Sequence, residues 1–219
     1  MVLNRLNSPS MVPPDIFGGK YGRIKSKKGD KKMNAYVKIN GSVLEKMYDF
    51  TGKKDNYLEY IKVSFFDGKM EMAATNGQIL ARFCRSLEGD ENAEGLTDIY
   101  IPVRKFFKKS ELKKSLFGIS KKDGDFYLVD LFKCATYKIE KDVNFPNYKL
   151  VIRNEHYFPA EKYAYFNPKY LQSMADVIGE EAAKVPYVSF ASGVCGHSWL
   201  KKEYSGAEFE VVIMPIRSK

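Results

Sequence analysis

Residues 57–85 read YLEYIKVSFFDGKMEMAATNGQILARFCR. Apolar and aromatic residues fall there into three short runs, Tyr57 to Phe66, Met70 to Thr75 and Ile79 to Arg85, parted by Asp67-Gly68 and Asn76-Gly77. β-branched and aromatic side chains suit a pleated, half-buried surface, and an Asp-Gly pair supplies the positive φ angles of a two-residue hairpin turn. The stretch predicts three consecutive antiparallel strands. Just upstream, an extended segment from Ala35 to Ile39 leads into a helix predicted from Ser42 to Phe50 and ended by Gly52. The whole is one β-α-β-β-β unit.

The pattern then recurs. A second pass opens with Asp98 to Pro102, continues through a helix predicted from Val103 to Phe117 and ended by Gly118, and gives strands from Phe126 to Leu131 and Cys134 to Ile139, with an exit at Phe145-Pro146. A third runs from Ala164-Tyr165-Phe166 into a helix from Pro168 to Ile178, with Asn167 as N-cap and Pro168 in the first turn. Strands Tyr187 to Ala191, Ser198 to Tyr204 and Phe209 to Met214 complete it. Three copies spaced by roughly 60 residues form an internal repeat. Each helix must bury an apolar stripe against a sheet, so the expected class is α+β, with helices on one face of antiparallel sheets.

Composition narrows the function. With 44% hydrophobic and 29% charged residues the chain is globular in character, and its 15 Tyr and 15 Phe favour sheet. Cys84, Cys134 and Cys195 are odd in number and far apart, which suggests neither a disulfide framework nor a metal knuckle and fits a reducing cytoplasm. The N-terminal stretch lacks the apolar core of a secretion signal, and no run approaches the ~18 apolar residues of a spanning helix, so no membrane partner is expected.

Net charge is +9, which favours a polyanionic partner. Residues 1–33 hold eight Lys/Arg against two Asp and no apolar periodicity, and read as a basic flexible tail, either solubilising or tethering. The remainder carries only +3. The expected organisation is that tail, a domain of two units over 34–152, and a half-domain of one unit over 153–219.

Three segments resemble the bacterial replicative sliding clamp, the β subunit of DNA polymerase III. Ala73-Ala74-Thr75-Asn76-Gly77-Gln78-Ile79-Leu80-Ala81 is similar to that family's Ala-Thr-Asp-Gly-His-Arg-Leu-Ala turn. Phe145-Pro146-Asn147-Tyr148-Lys149-Leu150-Val151-Ile152 is similar to its Phe-Pro-Asp-Tyr-Arg-Arg-Val-Leu linker, and Val211-Val212-Ile213-Met214-Pro215-Ile216-Arg217 to its C-terminal Tyr-Val-Val-Met-Pro-Met-Arg. They occur in the family's order, and the resemblance extends over about residues 34–217. It implies the DNA-clamp, or processivity, architecture. A full subunit of that family has three domains of two units each, so this chain resembles a shortened form, and the usual dimeric ring is not implied.

In the family, helices line a central hole and meet phosphates without reading bases, so the implied partner is double-stranded DNA, bound non-specifically. The predicted second helix carries Arg104, Lys105, Lys108, Lys109, Lys113 and Lys114 on one face, and Phe106, Phe107, Leu112 and Leu116 are available for the other. Lys46, Lys53 and Lys54 add to this DNA-binding set, against the alternative of an ordinary solvated surface. The three matched segments build, in the family, the groove where polymerases and clamp loaders insert a short apolar peptide. The residues carried over are Leu58, Thr75, Gly77, Leu80, Pro146, Val151, Val212, Met214, Pro215 and Ile216, with ordinary core and turn positions as the alternative. Gln78, Ile79 and Leu150 replace cationic residues, leaving a less basic rim.

The resemblance implies no catalytic residue, metal or cofactor. His156, His197 and Cys195 are too few for a metal set, and Asp98, Asp123, Asp125 and Asp130 sit beside turns, where Asp serves the backbone. Three readings stand on the sequence: a reduced clamp that self-assembles, with four subunits giving twelve units; a clamp-like regulator or decoy that binds a polymerase or clamp without encircling DNA; and a small DNA-processing enzyme.

Overall fold

A computed structural model describes residues 36–53, 58–152, 167–178, 198–204 and 207–213. The tail over 1–33, Lys54, the segment Ala164 to Phe166, the strand Tyr187 to Ala191, both histidines, Cys195 and Met214 to Arg217 lie outside the described residues.

Strand β1 (Tyr36–Asn40) runs into helix α1 (Gly41–Tyr48), whose first turn is closed by the Asn40 side chain accepting from the Ser42 N–H at 2.9 Å. Strands β2 (Ile61–Phe66), β3 (Lys69–Thr75) and β4 (Ile79–Ser86) follow as the three runs predict, although β2 starts four residues after Tyr57. Asp67 and Gly68 both have positive φ, 47° and 68°, the conformation that a two-residue hairpin turn requires.

The second pass departs from its prediction. After β5 (Ile99–Ile101), the single helix expected from Val103 to Phe117 is replaced by two helical turns, α2 (Val103–Phe106) and α3 (Lys109–Leu112), and by strand β6 (Leu116–Lys122). Phe107 breaks the helix with φ −137° and ψ 149°, turning its ring onto Phe117 and Tyr137. Gly118 is no helix end; it lies in mid-strand, and a side chain there would strike the Tyr36 ring, 2.6 Å away. Tertiary pairing overrides the local helical pattern, because β6 is the neighbour that both β1 and β7 (Asp125–Asp130) require. Strand β8 (Ala135–Ile139), the turn α4 (Lys149–Ile152), helix α5 (Pro168–Ile178) and strands β9 (Ser198–Tyr204) and β10 (Ala207–Ile213) complete the described chain. The predicted cap of α5 is present, with Asn167 Oδ1 accepting from the Lys169 N–H at 3.0 Å.

The strands form two antiparallel sheets, ordered β1-β6-β7-β8 and β5-β2-β3-β4-β10-β9. The opening strand of each of the first two units has crossed over: β1 pairs with β6, and β5 with β2. The third segment adds β10 along β4 in full register, from Ala207 opposite Arg85 to Ile213 opposite Ile79. One side of each sheet faces a shared core. Val37, Ile39, Phe117 and Leu128 of the first sheet and Met72, Ile79, Phe83 and Val211 of the second meet Leu44 and Met47 of α1 and Met174 and Val177 of α5. The helices touch where Lys46 Nζ donates to the Val177 carbonyl at 3.0 Å, a cation at a helix C-terminus. The architecture is α+β, as expected.

Because strand side chains alternate, the opposite face of the six-stranded sheet presents Glu71, Ala73 and Thr75 of β3, Leu80 and Arg82 of β4, and Glu208, Glu210 and Val212 of β10. The candidate site is built on that face.

Candidate functional site

The turn between β3 and β4 fixes the site's first wall. Thr75 Oγ1 accepts from the Gly77 N–H at 3.0 Å and donates to the Ile79 carbonyl at 2.9 Å, while Asn76 Oδ1 accepts from the Gln78 and Ile79 N–H groups at 3.0 Å. Gly77 takes φ 87°, a left-handed conformation that glycine adopts without strain, and leaves the Leu58 methyl in view beside it.

The second wall is the connector after β8. Pro146 turns the chain, the Tyr148 N–H donates to the Pro146 carbonyl at 2.8 Å, and the Val151 N–H donates to the Tyr148 carbonyl at 3.0 Å, winding α4 over the sheet. Val212 of β10, paired with Leu80, supplies the third. Ala73, Leu80, Tyr148 and Val212 make a small apolar cluster of their own, with Phe145, Val151 and Ile152 against it.

Between these walls lies a pocket of about 160 Å³ lined by Thr75, Gly77, Leu80, Pro146, Val151 and Val212, together with Ile79, Asn147 and Tyr148. Six of the ten groove residues read from the sequence therefore converge on one cavity, and Leu58 adjoins it through Gly77. Met214, Pro215 and Ile216 lie outside the described residues. The pocket's lining, mostly apolar with a few polar groups at the edge, has the composition usual in ligand sites.

Beside the pocket runs a polar row that sequence reasoning missed. Arg82 Nε donates to Glu71 Oε2 at 2.6 Å, and its Nη1 donates to Glu210 at 2.5 Å and Glu208 at 3.1 Å. The Glu71 and Glu210 side chains are only 3% and 5% exposed. Burial works against the Arg82 charge, but the Glu210 and Glu71 carboxylates more than offset it, and its pKa is raised. The Tyr148 hydroxyl donates to Glu71 Oε1; burial, and then that bond to a carboxylate, push the phenol pKa well up. The signal was present as single charges at alternate positions of apolar strands, but their convergence depends on register.

No family model matches the sequence, and no curated protein matches it. Among solved structures, a DNA polymerase sliding clamp from Pseudomonas aeruginosa, determined with a ligand, superposes with a TM-score of 0.53 at 15% identity, covering 86% of this chain and 68% of that one. A sliding clamp, DNA polymerase III subunit beta, from the same organism bound to griselimycin gives 0.51 at 15% identity, covering 88% and 68%. The chain has the sliding-clamp fold.

On this clamp fold the proposed DNA-contacting residues no longer share one helical face. Arg104 is turned inward: it donates to Thr51 Oγ1 and to the Tyr48 carbonyl, each at 2.7 Å. Lys109 is ion-paired with Asp49, and Lys46 bonds to α5. Lys53, Lys105, Lys108, Lys113 and Lys114 are exposed, the last four on the α2–α3 stretch that packs against α1.

The acids weighed for catalysis have structural partners. Asp98 meets Lys62 at 2.6 Å and Asp125 meets Lys138 at 2.7 Å. Buried Asp130 accepts from the Phe132 and Lys133 N–H groups, and Asp123 sits at positive φ in the turn before β7. Among the described residues no group of three or more His, Cys, Asp or Glu is arranged to hold a metal ion, and no helix is long and apolar enough to cross a membrane.

Proposed function

We propose that this protein is a sliding-clamp-like processivity factor of DNA replication in the cytoplasm, without catalytic activity or cofactor. It associates with duplex DNA non-specifically and recruits polymerases and clamp loaders by a short apolar peptide. The observation that carries the reading is the convergence of three distant segments, the Thr75–Ile79 turn, the Pro146–Val151 connector and β10, on one apolar pocket. The clamp fold supports the same class of partners. On this reading Met214, Pro215 and Ile216 extend the groove, residues 34–152 form a two-unit domain and 153–219 a half-domain, and four copies close a ring.

The direct test is fluorescence anisotropy with a labelled hexapeptide bearing leucine and phenylalanine anchors. Wild-type protein binds it, and Val151→Asp, at a half-buried position of the rim, loses that binding with its circular dichroism unchanged. Equal binding by the variant rejects the groove. Light scattering tests the ring, which a stable monomer at micromolar concentration excludes.

One observation favours the second reading, a regulator that engages a polymerase or clamp without encircling DNA. Arg104, Lys46 and Lys109 are spent on internal contacts, which thins the positive surface that a DNA-lining face needs.

A further inference from the structure

Each side of the pocket comes from a segment far from the others in sequence; the β3–β4–β10 ladder fixes two of them, and the polar row beside the pocket ties the third, the connector, to that sheet. Arg82 stands opposite both Ala73 of β3 and Glu210 of β10, one side-chain step from the Leu80 that pairs with Thr75 and Val212 in the pocket. Its guanidinium ties β3 to β10 through Glu71 and Glu210. Glu71 in turn holds the connector, because its other oxygen accepts from the Tyr148 hydroxyl and lies 3.9 Å from Lys149 Nζ.

We propose that Tyr148 is a positioning residue of the pocket, its ring held as one wall by the Glu71–Arg82–Glu210 ion network. The inference rests on the peptide-groove reading for its functional consequence, but not for its geometry. The Tyr148 ring is fixed at both ends: the body packs on Leu80, Ala73 and Val212, and the hydroxyl is anchored on a buried carboxylate. Apolar contact alone leaves a ring free to slide along the sheet; a charge-assisted bond at its tip fixes where it stops. The ion pairs make that anchor rigid, since Glu71 is also fastened to Arg82 at 2.6 Å. Glu210 belongs to β10, whose backbone ladder with β4 already sets Val212 against Leu80, so the network ties the connector to a wall that is fixed.

Two measurements separate this inference from the peptide reading. The first needs no ligand: in ring-labelled [13C]tyrosine protein, the resonance absent from Tyr148→Phe is followed in Glu71→Leu and Glu71→Gln. Glu71→Leu shifts and broadens it. Glu71→Gln, which still accepts from the hydroxyl, restores a single line close to that of the wild type. The second uses the labelled leucine-phenylalanine hexapeptide. Tyr148→Phe and Glu71→Leu each weaken binding by about tenfold, the scale of one hydrogen bond to a charged group. The double variant is no weaker than either single one, since both break the same link. Glu71→Gln binds within about threefold of wild type, on the same scale.

A Tyr148 resonance indifferent to Glu71→Leu overturns the proposal, as do losses of affinity that add. If wild-type protein binds no peptide while the resonance responds as stated, the groove reading fails and the positioning of Tyr148 stands.

Discussion

The Arg104 guanidinium lies over the ring of Tyr48, 4.2 Å from its centroid, and donates to the carbonyl of the same residue at 2.7 Å. Tyr48 is the last residue of α1, so Arg104 places a cation at a helix C-terminus, where unpaired carbonyls and the helix dipole both favour it. A side chain that the sequence offers as a phosphate ligand is thereby the cap of a neighbouring helix.

Arg104→Ala is expected to lower stability by about 2 kcal/mol, as one charge-assisted hydrogen bond and a cation–π contact are lost together. Arg104→Lys recovers only part, because an ammonium lacks the planar fork that reaches Thr51 and Tyr48 at once. Urea denaturation followed by circular dichroism measures both. An Arg104→Ala midpoint equal to that of the wild type removes Arg104 from the frame of α1 and returns it to the surface.

Gly41 is a second point of close approach. Its N–H donates to the Ser115 carbonyl at 2.9 Å, and a Cβ at this position would run into the carbonyl oxygens of Leu112 and Ser115. Backbone atoms do not swing aside, so Gly41→Ala is expected to cost about 3 kcal/mol, the upper end of overpacking. Gly68→Ala is the comparison: nothing lies within 4 Å of its Cβ, and the cost is only that of the left-handed φ of 68°, about 1 kcal/mol. Thermal denaturation ranks the two, and a Gly68→Ala loss larger than that of Gly41→Ala contradicts the packing at the start of α1.

Alkaline pH supplies another test. Tyr60 donates its hydroxyl to Glu140 at 2.9 Å, and burial, then that bond, push its pKa from 10.0 to about 12. The folded chain therefore holds this proton more tightly than the unfolded chain. The stability it contributes is fully present below pH 10, falls as the unfolded state ionises, and is gone above about pH 12. Tyr60→Phe should flatten the decline of stability between those values. Tyrosinate absorbance checks the same point, since the variant loses a late-titrating phenol; an unchanged late titration places the raised group elsewhere.

What the sequence made legible was local. Alternation in Tyr57 to Arg85 and the Asp67-Gly68 pair predict β2, β3 and β4 because side-chain period and turn chemistry act over a few residues. The pocket was legible only through the resemblance, which put Thr75, Pro146 and Val212 together before any register was known. The Val103 to Phe117 helix failed because short apolar runs amid lysines satisfy a helix or a strand, and β6 is decided by β1 and β7 on either side. A cue was there: Asp123-Gly124, both at positive φ, repeats the Asp67-Gly68 turn and requires a strand before it as well as after. Arg104 on Tyr48, and Arg82 among three carboxylates, are contacts between elements, and no spacing within one element encodes them.

The last prediction concerns DNA. With Arg104, Lys46 and Lys109 engaged internally, Lys105, Lys108, Lys113 and Lys114 are the exposed cations of the α2–α3 stretch. If they meet phosphates, replacing all four by Gln reduces the slope of log affinity against log salt by about 0.9 for each contact removed. Stability should change little, since these side chains are exposed. The control pair is Lys69 and Lys122, exposed residues at the β2–β3 and β6–β7 hairpins, whose replacement by Gln should leave the slope nearly unchanged. Anisotropy of a labelled duplex across a salt series gives both slopes. A large change for the quadruple variant alone assigns the duplex to the helical side of the sheets. Equal changes per lysine in both sets mean that net charge, not an oriented surface, holds the DNA, and the reading as a regulator that does not encircle DNA then takes precedence.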